Sequence, residues 1–188
     1  MRFTFEPQRI RDVILVRPER YLDDRGFFAE VYRRSAFEQA GIDATFVQDN
    51  VARSQQGVLR GLHYQLPPRA QGKLVGVARG RIFDVAVDLR RGGPTYGKWV
   101  ARTLDVQAGE FLWIPPGFAH GYLVLSDTAD VVYKVTEEYD QSLNRGIRWD
   151  DPTLGIQWPV DDPILSDSDR NQPTFPKADN PFRAARDR

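Results

Sequence analysis

Residues 82–90 read IFDVAVDLR, and this stretch decides the class of fold. Side chains alternate between the two faces of a β-strand, so apolar residues at every second position predict a strand with one buried face. The apolar face of this stretch carries Phe83, Val85, Val87 and Leu89, and the other face carries Asp84, Ala86 and Asp88. The turn signal Gly92-Gly93-Pro94 follows and ends the predicted strand.

Short runs of the same kind recur along the chain on both sides of this stretch. Many short strands separated by turn signals predict an all-β fold, either a sandwich or a closed barrel. The other predicted strands are Val13–Val16, Thr45–Val47, Leu74–Ala78, Lys98–Leu104, Glu110–Ile114, Gly121–Leu125 and Val131–Thr136.

One helix is well marked. The segment Ser35-Ala36-Phe37-Glu38 has the spacing of a capping box, and Gly41 can end the helix in the left-handed conformation. The chain after Asp169 is polar and contains three prolines, so a polar, irregular tail is expected from about residue 170. With no internal repeat and no low-complexity linker, residues 1–188 are expected to form a single domain.

Composition excludes several classes of function. Lys plus Arg and Asp plus Glu each number 26, so the net charge of the chain is zero. The chain therefore has no overall positive charge that would favour binding to nucleic acid or to an anionic membrane. The chain has no cysteine, which excludes disulfides, thiolate metal sites and a cysteine nucleophile. The first residues, MRFTFEPQRIRD, lack the apolar core of a signal peptide, and no apolar run is long enough to span a bilayer. A cytoplasmic location is expected.

The chain has only two histidines, His63 and His120. Gly109, Pro115, Gly117 and His120 have the spacing G-x5-P-x-G-x2-H, which resembles the second signature of the cupin superfamily. The first cupin signature is half present: five residues separate Gly57 from His63, but Gln65 stands where a second histidine ligand belongs, and no glutamate follows. Zinc and iron usually take three or four protein ligands, and only two histidines of the ligand set remain here, so we expect no metal. Histidines that bind no metal are free to transfer protons near neutral pH.

At these positions the chain resembles one family closely, the dTDP-4-dehydrorhamnose 3,5-epimerases. The resemblance covers most of the chain, from about residue 22 to residue 169, in nine blocks that occur in order. The blocks read DDRGFFAEVY, FVQDN, GVLRGLHYQ, QGKLVGVARGRIFDVAVDLR, PTYGKW, FLWIPPGFAHGYLVLSD, YKVTEEYD, GIRWDDPTLGIQWP and ILSDSD.

The resemblance implies a double-stranded β-helix, the cupin-type jelly-roll barrel, with a few short helices. It also implies the substrate dTDP-4-dehydro-6-deoxy-D-glucose, whose C4 ketone acidifies the C–H bonds at C3 and C5. Removing either proton gives an enolate, and returning a proton to the opposite face inverts that centre, giving dTDP-4-dehydro-L-rhamnose. Such chemistry requires a base, an acid and a group that stabilises the enolate oxygen, and it requires no cofactor.

The resemblance assigns the catalytic roles to four residues. His63 is the base, and Asp169 holds its other ring nitrogen, with Asp167 as the second choice for that role. Tyr133 is the acid on the opposite face of the sugar, although an ordinary strand tyrosine is the simpler interpretation for an arbitrary tyrosine. Lys73 stabilises the enolate, where the alternative is an exposed surface lysine.

The remaining assignments concern substrate binding. His120 is expected to hydrogen-bond the sugar, and Arg25 and Arg60 are expected to face the diphosphate, since a guanidinium binds phosphate oxygens in pairs. Phe27 and Tyr139 are candidates for stacking on thymine, with a core aromatic as the alternative. In this family some contacts come from the neighbouring subunit of a homodimer. The other expected contacts are Glu30, Gln48, Asp49 and Asn50, together with Asn144 and Ser168, which depart from the residue types common in the family.

Three alternatives remain open at this point. A one-centre epimerase, inverting only C3 or only C5, shares most of these blocks. A metal-dependent cupin enzyme would require ligands that Gln65 and the residues after it do not supply. A non-catalytic sugar-binding barrel would bind the nucleotide sugar without exchanging its C–H protons.

Overall fold

The computed structural model describes residues 2–184. It contains thirteen strands, two short α-helices and one turn of 3₁₀-helix at Phe175–Lys177. In chain order the elements are β1 (Phe3–Pro7), β2 (Ile14–Pro18), β3 (Arg20–Asp23), β4 (Gly26–Ala29), α1 (Arg34–Gln39), β5 (Gln48–Gln55), β6 (Leu59–Gln65), β7 (Lys73–Arg79), β8 (Arg81–Asp88), β9 (Trp99–Asp105), β10 (Phe111–Ile114), β11 (Phe118–Val124), β12 (Thr128–Val135), β13 (Asn144–Gly146) and α2 (Asp167–Arg170).

Two antiparallel sheets face each other and form a jelly-roll barrel, so the all-β, cupin-type prediction is confirmed. One sheet has six strands in the order β1-β2-β10-β7-β12-β5, and the other has five in the order β13-β6-β11-β8-β9. Strands that are neighbours in a sheet are often distant in the chain, which is how residues from β6, β7, β11 and β12 come to line one interior. A separate hairpin pairs β3 with β4.

Residues 82–89, of which 82–88 belong to β8, are largely buried on both faces, and the prediction that only one face is buried is wrong. Val85, Val87 and Leu89 pack outward against the C-terminal part of the chain, whereas Ala86 packs in the barrel interior. Asp84 and Asp88, placed by alternation on a polar face, are 0% and 1% exposed. The polar face of this strand therefore turns inward, because the C-terminal segment covers the outside of its sheet.

That C-terminal segment is largely irregular and also packs against the barrel. Phe175, Ala178 and Phe182 are buried in one cluster with the outward side chains of β8. A bridge between Arg91 and Arg183 and the hydrogen bond from the Tyr64 hydroxyl to the Asp179 carbonyl hold it in place. Spaced apolar residues in an otherwise polar sequence are enough to anchor such a segment.

Two local predictions are wrong. Thr45–Val47 is not a strand, and the strand begins at Gln48. Ser35 does not cap α1, because the helix begins at Arg34 with Arg33 before it, and Glu38 pairs with Arg34 instead of reaching back. The helix end is as predicted: Gly41 has φ +83°, and the amides of Gly41 and Ile42 donate to the carbonyls of Glu38 and Phe37.

β6 and β11 approach so closely beside the two histidines that only glycine fits. A Cβ on Gly61 would lie 2.6 Å from the Gly121 Cα, and one on Gly121 would lie 2.8 Å from the Arg60 carbonyl oxygen. This contact places His63 directly opposite His120 in the register of the two strands. Within residues 2–184, no helix combines the length and apolar character that crossing a membrane requires.

Candidate functional site

Both histidines open onto one cavity of about 260 Å³ between the two sheets. Each sheet contributes to its wall, so a ligand in the cavity is contacted from two sides. The residues that line it are Ala52, Arg60, His63, Lys73, His120, Tyr122, Tyr133, Asn144, Ser166, Ser168 and Asp169.

His63 is paired with Asp169 on one wall of this cavity. The His63 Nε2 lies 2.5 Å from the Asp169 Oδ1, and the side chains are 33% and 5% exposed. Asp169 is itself fixed by Ser166 at the start of α2, whose hydroxyl donates to Oδ2 and accepts from the Asp169 amide. Burial alone would raise the pKa of Asp169, but the hydrogen bonds from His63 and Ser166 outweigh it, so this pKa lies below its usual value.

A second histidine–carboxylate pair lies beside the first and is more deeply buried. The His120 Nε2 lies 2.7 Å from the Asp84 Oδ1, and the side chains are 7% and 0% exposed. Burial lowers the pKa of His120, and the nearby Asp84 carboxylate opposes that shift. The other oxygen of Asp84 has no hydrogen-bond partner among residues 2–184. Burial thus favours the neutral form of the His120 imidazole, and the contact with Asp84 holds the ring in one orientation.

Lys73 is the first residue of β7 and points into the same cavity, so it is not the exposed surface lysine of the alternative interpretation. Burial lowers the pKa of its ammonium group to about 8, and Asp84 opposes this shift. A cation this close to titration at neutral pH is suited to stabilising negative charge that develops on a ligand.

Tyr133 reaches the cavity from β12, on the sheet opposite the one that carries His63 and His120. Burial raises the pKa of its hydroxyl, and Arg60 opposes the shift. The phenol is therefore protonated at neutral pH. A base on one sheet and a proton donor on the other can act on opposite faces of a bound ring.

Three polar side chains stand at the rim of the cavity. Arg60 is exposed, and its Nε donates to the Ser54 hydroxyl at 3.0 Å, so its two terminal nitrogens are not used in this bond. Asn144 on β13 and the exposed Ser168 in α2 complete the rim. Together with His120, these three are the expected substrate contacts that the fold brings to the catalytic group.

The other expected contacts lie outside this cavity. Arg25 is at the hairpin turn between β3 and β4, paired with Asp23, and Glu30 pairs with Arg33. Gln48 accepts from the Tyr139 amide, which holds the exposed Tyr139 at the edge of the barrel. Phe27, Asp49 and Asn50 instead line a larger, mainly apolar cavity of about 500 Å³ on the outside of the six-stranded sheet, which Tyr133 also borders.

The side chains at and near the expected metal-ligand positions are engaged in hydrogen bonds within the protein. Each imidazole engages its own carboxylate, and Gln65, at the missing ligand position, donates to the carbonyls of Arg69 and Glu138 and accepts from the Asp140 amide. Across residues 2–184, no group of three His, Asp or Glu side chains is placed to hold a metal ion.

Three polar residues in or next to this cavity were not among the site residues that the sequence analysis predicted. The sequence does not mark Asp84, because alternation places it on the polar face of its strand, and it is buried only because the C-terminal segment covers the other face. Ser166 has the spacing of a helix N-cap to Asp169, which is also visible in the sequence. Tyr122, two residues after His120, shares its face of β11, but no sequence signal separates it from a core aromatic.

Comparison with known proteins agrees with this geometry. The family model described as dTDP-4-dehydrorhamnose 3,5-epimerase matches residues 7–177. The chain belongs to the dTDP-4-dehydrorhamnose 3,5-epimerase family. The enzyme of that name from Pseudomonas aeruginosa is 53% identical over 172 residues, which are 90% of this chain and 94% of the relative.

Solved structures of relatives superpose closely on this member of the epimerase family. A dTDP-6-deoxy-D-glucose-3,5-epimerase from Legionella pneumophila, in complex with dTDP-4-keto-L-rhamnose, has a TM-score of 0.94 at 42% identity, covering 98% of this chain and 100% of that chain. A 3′-monoepimerase from Streptomyces bikiniensis, in complex with dTDP-quinovose, has a TM-score of 0.85 at 38% identity, covering 90% of this chain and 87% of that chain. The fold is thus shared by two-centre and one-centre epimerases.

Proposed function

We propose that this chain converts dTDP-4-dehydro-6-deoxy-D-glucose into dTDP-4-dehydro-L-rhamnose by inverting C3 and C5, a step of dTDP-L-rhamnose biosynthesis. The observation that carries the proposal is the placement of the His63–Asp169 pair and Tyr133 on opposite sheets of one cavity. Membership of the 3,5-epimerase family supplies the reaction to which this geometry is suited.

His63 acts as the base in this proposal. Its imidazole removes the proton from C3 or C5, and the Asp169 carboxylate, 2.5 Å away, stabilises the imidazolium that forms. The electrons of the broken C–H bond pass to the C4 oxygen and form an enolate. Ser166 keeps Asp169 in place, so the ring does not have to reorient during the reaction.

Tyr133 acts as the acid. Its phenol donates a proton to the carbon from the face opposite His63, which inverts the configuration as the enolate collapses to the ketone. Lys73 and His120 are near enough to the same cavity space to stabilise the enolate oxygen, Lys73 by charge and His120 by a hydrogen bond.

Arg60 binds the diphosphate of the nucleotide at the rim, with Asn144 and Ser168 beside it. The contacts that this chain does not bring to its own cavity, Arg25 and Glu30 among them, serve the site of a second copy in a homodimer. Exposed apolar side chains on and near the β3–β4 hairpin support this arrangement, since such surfaces are usually covered. They include Leu22, Phe28 and Val51, at 81%, 62% and 74% exposed. We also propose that the chain folds as a single domain. We further propose that the enzyme acts in the cytoplasm.

Proton NMR of the reaction in heavy water tests the proposed function. The wild type is expected to introduce deuterium at both C3 and C5 and to form dTDP-4-dehydro-L-rhamnose, whereas His63→Ala is expected to introduce deuterium at neither. Exchange at one carbon only would make the protein a one-centre epimerase. Binding of the nucleotide sugar without any exchange would make it a non-catalytic barrel, and activity that disappears with a stoichiometric metal on chelation would make it a metal-dependent cupin.

Complementation between two inactive variants tests the dimer. His63→Ala and Arg25→Ala are each expected to be inactive, and mixing them after reversible dissociation should restore about a quarter of the wild-type activity, because half of the dimers are hybrids with one intact site. A monomeric wild type in sedimentation, or no restoration in confirmed hybrids, would show that Arg25 does not act across an interface.

A further inference from the structure

Arg60, at the rim of the cavity, has no carboxylate partner within residues 2–184. Its side chain makes one hydrogen bond there, from Nε to the Ser54 hydroxyl at 3.0 Å, and no ion pair. Arg53, the residue before Ser54, has the contrasting arrangement: its Nε and Nη2 donate to the two oxygens of Asp130 at 2.6 and 2.7 Å. The charge of Arg60 is therefore uncompensated by a neighbouring side chain, and its terminal nitrogens are available to an anionic ligand.

Ser54 reaches Arg60 from the opposite sheet. It lies on β5, at the edge of the six-stranded sheet, where it pairs with Ala129 of β12, whereas Arg60 lies on β6 of the five-stranded sheet. Ser54 is 6% exposed and does not line the cavity. The hydrogen bond thus connects the two sheets, and Ser54 can act on a ligand only through Arg60.

Tyr122 lies beside Ser54 on a second side. It is 4% exposed, and it pairs with Arg60 in the register of β11 and β6. Burial raises the pKa of Tyr122 to about 12, and the charge of Arg60 and the hydroxyl of Ser54 oppose this shift. Because the guanidinium and the phenol both adjoin the Ser54 hydroxyl, the rotation of the Ser54 side chain is restricted.

A hydroxyl is suited to holding Arg60 because it orients a guanidinium without compensating its charge. A carboxylate in the same place, such as Asp130 beside Arg53, would also orient the side chain but would repel a phosphate group. A neutral acceptor at Nε leaves both terminal nitrogens to bind two phosphate oxygens in parallel. Fixing the side chain before the ligand arrives also reduces the entropy that is lost on binding.

We infer that Ser54 is a positioning residue for the diphosphate of the bound nucleotide sugar, because it holds the Nε of Arg60 and thereby directs the two terminal nitrogens to the phosphate oxygens. The inference rests on the proposed function, which supplies the nucleotide sugar and assigns its diphosphate to Arg60. The diphosphate does not change during the reaction. Ser54 is therefore expected to affect the binding of substrate and transition state equally, which changes KM and leaves kcat unchanged.

Ser54→Ala tests the inference, because it removes only the hydroxyl. The Kd for dTDP, measured by calorimetry, and the KM for dTDP-4-dehydro-6-deoxy-D-glucose are both expected to rise about 3–10-fold, with kcat unchanged. Ser54→Thr keeps a hydroxyl and is expected to keep the wild-type Kd and KM. Adding Ser54→Ala to Arg60→Ala is expected to raise the Kd no further than Arg60→Ala alone, because Ser54 acts through Arg60.

Ser126→Ala is the matched control for the loss of a structural serine hydroxyl. The Ser126 hydroxyl accepts from the Arg81 amide at 2.9 Å and donates to the Thr128 carbonyl at 2.8 Å, and Ser126 does not line the cavity. This variant is expected to lower the melting temperature and to leave Kd and KM unchanged. The binding constants, and not the melting temperature, therefore distinguish a positioning role from a structural one.

Three other outcomes would overturn the inference and leave the proposed function intact. They are an active wild type with unchanged Kd and KM in Ser54→Ala, a loss confined to kcat, and a full additional loss of dTDP affinity when Ser54→Ala is added to Arg60→Ala. Because dTDP binding is measured without turnover, failure of the proposed function is seen separately. A wild type that binds dTDP but exchanges no proton at C3 or C5 would overturn that function and, with it, the assignment of Ser54 to its substrate.

Discussion

The His63 Nε2 and the Asp169 Oδ1 are 2.5 Å apart, although the two residues are 106 positions apart in the chain. Asp167, in the same short helix α2, makes no contact with His63: its backbone carbonyl accepts from Asn171, and its side chain is exposed. The geometry therefore favours Asp169 over Asp167 as the partner of His63, and the roles of the two aspartates in catalysis can be tested separately.

Asp169→Asn is expected to lower kcat by about 10²–10⁴-fold, because the amide neither stabilises the imidazolium of His63 nor fixes its tautomer. Asp167→Asn, the matched control in the same helix, is expected to keep wild-type kcat. Both are measured as the rate of product formation by NMR. Equal losses in the two variants would mean that α2 matters as a structural element and that the pair with His63 has no special role.

Because of Asp169, the stability of the folded protein is expected to vary with pH in the acidic range. The folded pKa of Asp169 lies below its ordinary value of 3.8, so its ionised form contributes stability that is fully present above 3.8. That contribution is lost as pH falls through the lower folded pKa. We expect wild type to be more stable than Asp169→Asn in urea at pH 7, with the difference shrinking towards pH 3. A difference that is constant with pH would contradict this linkage.

Tyr133→Phe is expected to separate proton removal from proton return. His63 remains able to remove a proton, so solvent deuterium still enters the substrate on the His63 side, with configuration retained. Formation of the inverted product should fall by about 10²–10⁴-fold, because the acid on the opposite sheet is missing. NMR measures both quantities in one sample. Loss of exchange and of product to the same extent would indicate that Tyr133 positions the substrate and does not deliver the proton.

Lys73 should give the rate an alkaline limit. Its pKa is lowered to about 8, so kcat is expected to decline as pH rises through this value and the ammonium group loses its charge. Lys73→Met should lower kcat by about 10²–10³-fold at pH 7, as expected for removing a group that stabilises an oxyanion, and should abolish the decline. An alkaline decline that persists in Lys73→Met would assign that titration to another group.

The two imidazoles offer a direct test of the second histidine pair. Because the chain has only two histidines, NMR resolves both, and His63→Ala assigns them. The pKa of His120 is expected below its ordinary value of 6.5, and lower still in Asp84→Asn, since the carboxylate opposes the effect of burial. A pKa that does not change in Asp84→Asn would show that the 2.7 Å contact does not hold in solution.

Much of the site was open to prediction because the chemistry requires rare residues in fixed contexts. With two histidines in the chain and no cysteine, His63 and His120 were the natural candidates, and both line the cavity with Tyr133, Lys73 and Asp169. Residues on the hairpin and on β5 were harder to place. Arg25 and Glu30 match the family in sequence, but this chain alone does not bring them to its own cavity, and in the proposed homodimer their position relative to a site depends on how the second copy packs.

The sequence by itself determined the all-β class through alternation and turn signals, and it determined the family, and with it the expected barrel, through the motif blocks, since all of these are local properties of the chain. Only the tertiary structure decided which face of residues 82–90 is the interior. Alternation marks Asp84 as facing away from Val85 and Val87, but which face is covered depends on the C-terminal segment and on strands distant in sequence. The pairing of Asp84 with His120 and the lowered pKa of Lys73 have the same origin. Burial and hydrogen-bond partners are set by the strand order of two sheets, which no local pattern in the sequence records.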